Sequence, residues 1–162
     1  MLYPVCIGME RSGSTVAWQI ASLVSGTRLE KTHKYVSGNS SCIYTYRNPV
    51  EAYLSLRRTF LDVYPRGIAE NHAIRRLYTH ADVYKNLRID KSKGRKILFL
   101  RYEDFYEFPE KRINKISQFI NNSLTKERFA EILGHTSLEE NFKKSKNINF
   151  GTIDRNTQLH GN

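Results

Sequence analysis

A loop bounded by two glycines near the N terminus is the first segment of this sequence that could do chemistry. Gly8, Gly13 and Thr15 fit the phosphate-binding frame G-x-x-x-x-G-K-[ST], with Ser14 in the lysine position and Arg11 inside the loop. A strand, such a loop and a helix together aim backbone N–H groups and a helix N-terminus at an anion. The missing lysine argues against an ordinary ATP or GTP hydrolase. For the loop alone, a plain turn without a ligand is the alternative.

Two more groups of polar residues stand where apolar runs end. Lys31 and His33 close the run 27–33, and Arg47 follows the run 42–46, with Ser55 about two turns into the next helical pattern. Open α/β sheets bind ligands beyond the carboxyl ends of their strands, so we expect these side chains to meet the loop in one crevice. They would form an anion site with a general base attached.

Short apolar runs that alternate with helical patterns predict the fold that positions these residues. The predicted strands are 2–7, 27–33, 42–46 and 96–101, and the predicted helices are 14–25, 48–63, 68–89, 109–120, 125–133 and 136–145. This order indicates an α/β domain of three layers, P-loop-like, with a central parallel sheet of about four strands flanked by helices. We place the domain at 1–146 and a C-terminal tail without usable periodicity at 147–162.

The composition is that of one basic globular domain. Among 162 residues, 26 Lys and Arg face 16 Asp and Glu, a formal charge of +10. Such a surface attracts polyanions, whether nucleic acid, acidic glycans, anionic lipid or a phosphorylated nucleotide. Charge alone does not choose among these partners.

The sequence gives no sign of a metal site or a membrane span. Cys6 and Cys42 lie in apolar runs and are expected to be buried free thiols. Neither they nor the five histidines have metal-ligand spacing. The N-terminal apolar run is too short for a signal h-region or a membrane helix, so we expect a cytoplasmic protein.

Taken together, these segments resemble the sulfotransferases that use 3′-phosphoadenosine 5′-phosphosulfate (PAPS). The resemblance covers most of the chain in the right order. It rests on Arg11-Ser12-Gly13-Ser14-Thr15, Lys31-Thr32-His33, Arg47-Asn48-Pro49 with Ser55, Arg101-Tyr102-Glu103-Asp104, and faintly on Thr136-Ser137-Leu138.

The resemblance implies a role for each site residue. Arg11 and Lys31 would supply charge and His33 the general base, without a catalytic metal, although some relatives use a carboxylate near Glu30. The cofactor-binding residues would be Arg11, Ser12, Gly13, Ser14 and Thr15 for the 5′-phosphosulfate, Arg47 and Ser55 for the 3′-phosphate, and Tyr102 near the adenine. The acceptor would be a small molecule or a glycan with a hydroxyl or amine, and the basic surface suits an acidic one.

The chain also departs from the family pattern. Only about fifteen residues separate Thr15 from Lys31, where larger members build the acceptor pocket. The chain therefore resembles a small, minimal member, whose acceptor site would be either open or completed by another chain. Glu10 puts a carboxylate beside the expected sulfate site. The C-terminal arginine-glycine segment of the family has no clear counterpart, and a member that binds nucleotide without turnover remains an alternative.

Two other functions compete with the transferase. One is a P-loop nucleotide-binding protein or kinase, although no acid suited to Mg²⁺ follows a strand. The other is a nucleic-acid-binding module, although no nucleic-acid motif is recognised and we do not expect that partner. Its footprint would be the basic segment Arg75, Arg76, Lys85, Arg88, Lys91, Lys93, Arg95 and Lys96.

Overall fold

Four parallel strands form the centre of the chain. The computed structural model describes residues 3–137, 139 and 140, with the side chains of 105–107 left aside. The elements in order are β1 (Val5–Gly8), α1 (Ser14–Ser25), β2 (Lys31–Thr32), β3 (Cys42–Tyr46), α2 (Pro49–Leu61), α3 (Arg66–Ser92), β4 (Ile97–Arg101), α4 (Tyr102–Glu107), α5 (Pro109–Ile120) and α6 (Lys126–His135). The sheet order is β2-β1-β3-β4, and every pairing is parallel. The predicted α/β fold with a four-stranded parallel sheet is confirmed.

Helices cover both faces of the sheet because alternate strand residues point to opposite sides. On one face, Cys6 and Ile43 pack in a core with Ile20 of α1 and Ile113 of α5. On the other face, Ile7, Cys42, Tyr44 and Ile97 pack with Val83 and Leu87 of α3. Runs that are buried on both faces are continuously apolar, as these short strands are. The three predicted layers follow from these two cores.

The helices next to the site have clear start and stop signals. Gly13 (φ 72°) precedes α1 and Gly26 (φ 70°) ends it, both in the left-handed conformation that glycine adopts at little cost. The side chain of Asn48 accepts a hydrogen bond from the Val50 amide at 2.9 Å, with Pro49 at the first helical position of α2. These signals determine the first residues of α1 and α2 and the last residue of α1.

Several predicted bounds differ from the observed ones. The observed strand β2 is shorter than the predicted strand 27–33, because this edge strand pairs with β1 through only two residues. Helix α3 extends beyond the predicted 68–89 at both ends. Helix α4 was not predicted, since its six residues carry no apolar periodicity; acidic Glu103 and Asp104 in its first turn suit a helix N-terminus. The predicted helix 136–145, apart from 136, 137, 139 and 140, and the tail 147–162 lie outside the described residues.

The thiols are as expected, since Cys6 and Cys42 are both buried and free. Burial raises the pKa of the Cys6 thiol to about 12. Within the described part of the chain, no helix is both long and apolar enough to cross a membrane. In the same residues, no group of three or more His, Cys, Asp or Glu side chains could hold a metal ion.

Candidate active site

The loop after β1 is held tightly against the sheet. An added Cβ at Gly8 would lie 2.2 Å from Cβ of Ser14 and 2.6 Å from Oγ1 of Thr45, so only glycine fits there. The amide of Met9 donates to the carbonyl of Thr45 at 2.9 Å. The hydroxyl of Ser12, fully buried, bonds to Thr45 at 2.8 Å. The loop therefore lies over the carboxyl ends of β1 and β3.

The predicted loop residues have different surroundings. Gly13 and the nearly buried Ser14 form the start of α1. The hydroxyl and amide of Ser12 both bond to the carbonyl of Met9, which commits them to the loop itself. Arg11 adopts a left-handed backbone (φ 63°), which is uncommon for a residue with a side chain. Ligand contacts by Ser12, Gly13 and Ser14 stay predictions.

The structure brings together the two residues expected at opposite ends of the nucleotide. Nε of Arg11 donates to the hydroxyl of Ser55 at 2.8 Å. Nη1 of Arg47 donates to the backbone carbonyl of Arg11 at 3.4 Å. Partial burial, and secondarily the nearby Arg47 charge, lower the pKa of Arg11. The strand ends thus hold two guanidinium groups close together, an arrangement that an anion would stabilise.

Arg47 is poorly neutralised by protein. Its side chain is 20% exposed and reaches the carboxylate of Glu51 at 3.5 Å, at the edge of hydrogen-bond range. Its Cζ lies 4.3 Å from the centroid of the Tyr102 ring, a cation–π contact. Among the described residues, its buried Nε has no hydrogen-bond partner. A buried donor left without a partner is costly, which fits a ligand-binding arginine.

Lys31 lies at the N-terminus of α1. Its Nζ donates to the hydroxyl of Thr15 at 2.7 Å, across 16 residues of sequence. Burial lowers the pKa of Lys31. A partly buried ammonium group beside a helix N-terminus makes this end of the helix strongly attractive to an anion.

His33 has one ring nitrogen committed to the loop. Its Nδ1 lies 2.6 Å from the carbonyl oxygen of Gly8. Because a carbonyl can only accept, Nδ1 carries the proton and Nε2 of the neutral ring is left with a lone pair. The ring is therefore oriented as a base should be. Glu30, the alternative base, has an exposed side chain, and its carbonyl accepts from Cys6 in the sheet.

Two residues of α3, Arg76 and His80, contact Glu10. Nη1 of Arg76 lies 3.3 Å from the Glu10 carboxylate, which offsets the negative charge expected beside the sulfate site. His80 had no role predicted from the sequence, and its Nε2 accepts a hydrogen bond from the Glu10 amide at 3.1 Å. A buried histidine one helical turn after an arginine was the available signal, but nothing local connected it to the loop.

A cavity of about 270 Å³ opens between α1 and the end of α6. Its lining includes the indole of Trp18, Gln19, Arg28 and Thr136. Oε1 of Gln19 is buried and, within the described residues, has no hydrogen-bond partner. Gln19 lies one turn after Thr15 on α1.

The basic segment is not a single exposed surface. Arg95 is buried and bonds to Asp90, Val36 and Ser40. Arg88 and Lys91 lie over the Phe99 ring. Arg95 therefore stabilises the fold, whereas the other seven residues of the segment are exposed.

This geometry defines a P-loop-like α/β domain with a cluster of cationic side chains at its strand ends. The family model described as "Sulfotransferase domain" matches residues 26–160. The chain belongs to the sulfotransferase family. The match includes Lys31, His33, Arg47, Ser55 and Tyr102, whereas the loop with Arg11 precedes it.

A curated relative agrees with this assignment. The chain is 42% identical over 57 residues to Sulfotransferase 1A1 of Bos taurus. This alignment covers 35% of the chain and 19% of the bovine protein. The chain therefore spans well under two thirds of the length of that relative.

Proposed function

We propose that this chain binds PAPS and transfers its sulfuryl group to a hydroxyl or amine of a small acceptor. The observation that carries the proposal is the pair Arg11 and Arg47 at the strand ends, with the buried Nε of Arg47 unpartnered among the described residues. Two guanidinium groups at different depths suit a nucleotide that has phosphates at both its 5′ and 3′ positions. Arginine suits this task because its planar fork grips phosphate through two hydrogen bonds.

The resemblance to the family implies how the nucleotide would be divided among these residues. Arg11, Lys31, Thr15 and the N-terminus of α1 would hold the 5′-phosphosulfate. Arg47 and Ser55 would hold the 3′-phosphate, with Tyr102 supporting the Arg47 guanidinium. Contact between Tyr102 and the adenine stays a prediction. The cavity beside Trp18 is a candidate position for the adenine, because Thr136 of the predicted adenine segment lines this cavity.

The chemistry assigned to the residues is charge balance and proton removal. PAPS supplies, when bound, a sulfuryl group on a phosphate leaving group. His33 takes the acceptor proton at Nε2 while the acceptor oxygen or nitrogen bonds to sulfur. Arg11 and Lys31 balance the negative charge that remains on the 5′-phosphate as its bond to sulfur breaks. Nothing in this scheme asks for a metal ion.

For the acceptor and the location of the reaction, the proposal names only broad classes. The short connection between α1 and β2 supports an open acceptor site, and the charge of +10 favours an acidic small molecule or glycan. We place the reaction in the cytoplasm. No nucleic-acid motif accompanies the basic segment, and Ser14 in the lysine position counts against a kinase.

Thermal unfolding with adenosine 3′,5′-bisphosphate, compared with ADP at equal concentration and ionic strength, tests the proposal. At a hundredfold excess over Kd, a ligand stabilises the folded state by about 2.7 kcal/mol. We expect a clear rise in Tm with the bisphosphate and little with ADP. Equal shifts would favour a generic nucleotide-binding protein, and no shift with either would refute nucleotide binding. Transfer from PAPS to a panel of phenols, amines and glycans would then test turnover.

A further inference from the structure

His80 is a buried ionisable side chain beside the predicted base. It is 3% exposed in the middle of α3. Its ring meets that of His33 edge to face, with centroids 6.2 Å apart and planes at 75°. Its Nε2 accepts a hydrogen bond from the Glu10 amide at 3.1 Å. A side chain of α3 thus contacts both Glu10 of the loop and His33, the predicted general base.

The hydrogen bond fixes the protonation state of His80. A backbone N–H can only donate, so Nε2 must carry a lone pair and the proton of the neutral ring lies on Nδ1. Protonation of His80 would place a second donor, Nε2–H, against the N–H of Glu10. The new positive charge would also be buried close to Arg76 and His33. His80 is therefore a neutral acceptor.

Packing alone does not account for a histidine here. Its Nδ1 is buried and, among the described residues, has no hydrogen-bond partner. An apolar ring or chain of similar size would avoid this unsatisfied donor. An apolar side chain at position 80 would, however, leave the Glu10 amide without its hydrogen-bond acceptor.

The Glu10 amide lies directly before the strained residue of the loop. Arg11 has the left-handed backbone conformation and reaches Ser55 from it. Such a conformation persists only where the surrounding structure holds the residue in place. Glu10 is held twice by α3, through its amide by His80 and through its carboxylate by Arg76 one turn earlier.

We propose that His80 is a positioning residue that acts through the Glu10 amide to hold Arg11 in its anion-binding conformation. The inference rests on the proposed function in one respect, since the anion is taken to be the 5′-phosphate of the nucleotide. His80 itself need not touch the ligand. It supplies the fixed acceptor that a loop with a strained residue requires.

Two substitutions at His80 separate the acceptor from the packing. In His80→Gln, Oε1 can replace Nε2 as the acceptor, whereas His80→Leu fills space without one. We expect the Kd of adenosine 3′,5′-bisphosphate to rise roughly five- to tenfold in His80→Leu and to remain within about twofold of wild type in His80→Gln. Val83→Ala, which removes apolar volume from the same helix away from the loop, should lower Tm and leave Kd unchanged. Equal affinities in the two His80 variants would overturn the proposal.

A measurement without ligand keeps this test independent of the proposed function. Amide hydrogen exchange at Glu10 should be slow in the wild type and His80→Gln and at least tenfold faster in His80→Leu, relative to Val83→Ala. If the wild type binds no bisphosphate, the proposed function fails while the exchange rates still decide the role of His80. Exchange that is the same in all variants would refute it.

Discussion

Nε of Arg11 donates a hydrogen bond of 2.8 Å to the hydroxyl of Ser55, across 44 residues of sequence. The bond joins the loop after β1 to the second turn of α2. Arg11 was predicted at the 5′ end of the nucleotide and Ser55 at its 3′ end. Their contact joins the loop and the helix, so a change at either residue should affect the other.

Ser55→Ala should weaken nucleotide binding with little loss of stability. Arg11 would lose the acceptor that orients its guanidinium, so we expect the Kd of adenosine 3′,5′-bisphosphate to rise roughly five- to tenfold. Isothermal titration measures the change. Thr59→Ala is the matched control, because the Thr59 hydroxyl bonds only to the Ser55 carbonyl within α2 among the contacts described. If both variants bind equally, Ser55 does not organise the site.

Arg47→Met should remove the preference for a 3′-phosphate. The bisphosphate should lose roughly 1.5–3 kcal/mol of binding free energy, the range for a hydrogen bond to a charged group, while ADP binding changes little. Arg47→Lys should recover only part of the loss, since an ammonium lacks the planar fork that stacks on Tyr102. Competition assays with both nucleotides measure the preference. Arg58→Met, on an exposed turn of α2, is the control.

His33→Asn should slow turnover strongly while leaving the cofactor bound. The asparagine amide can still donate to the Gly8 carbonyl in place of Nδ1, but no lone pair replaces Nε2. We expect kcat to fall by about 10²- to 10⁴-fold, the usual contribution of a general base. Glu30→Gln tests the rival base in the same assay. A loss in Glu30→Gln and normal turnover in His33→Asn would reverse the assignment.

Stability should decline below neutral pH because of His80. Burial, with smaller effects from His33 and Arg76, lowers the pKa of His80 to about 4. In the unfolded chain its pKa is about 6.5, so between these values the unfolded state takes up a proton that the folded state does not. The contribution is fully present above pH ~6.5 and is lost as the pH falls toward 4, with a magnitude on the order of 3 kcal/mol.

Urea unfolding between pH 4 and 7 tests this expectation. His80→Gln should flatten the pH dependence, whereas His72→Gln, on an earlier turn of α3, should leave it as in the wild type. Carboxylates titrate in the same experiment, and the difference between the two variants removes their contribution. Parallel pH curves for wild type and His80→Gln would contradict the prediction.

Gly8→Ala should destabilise the chain. The added Cβ would lie 2.2 Å from the Ser14 Cβ, which belongs to the first turn of α1 and has little room to move. Overpacking of this kind costs about 1–3 kcal/mol. Gly134→Ala, which meets nothing within 4 Å in α6, should instead raise stability by up to about 1 kcal/mol. Chemical denaturation measures both changes, and a neutral Gly8→Ala would show that the loop can shift.

The sequence by itself determined the strands, most of the helices and the family. Apolar runs, glycines and a capping asparagine are local signals, because each acts within a few residues of itself. The same locality placed the loop, Lys31, His33 and Arg47 at strand ends. It failed for β2, whose length depends on its partner, and for α4, whose acidic first turn lacks apolar periodicity.

Only the tertiary structure decided how these groups combine. The strand order β2-β1-β3-β4 sets which strand ends are neighbours. The bonds from Arg11 to Ser55, Lys31 to Thr15 and Glu10 to His80 join residues 44, 16 and 70 positions apart. No repeating pattern in the sequence encodes such pairs, because each depends on the packing of a different helix against the sheet. His80 illustrates the point, because its ring meets the Glu10 amide only when α3 packs on its face of the sheet.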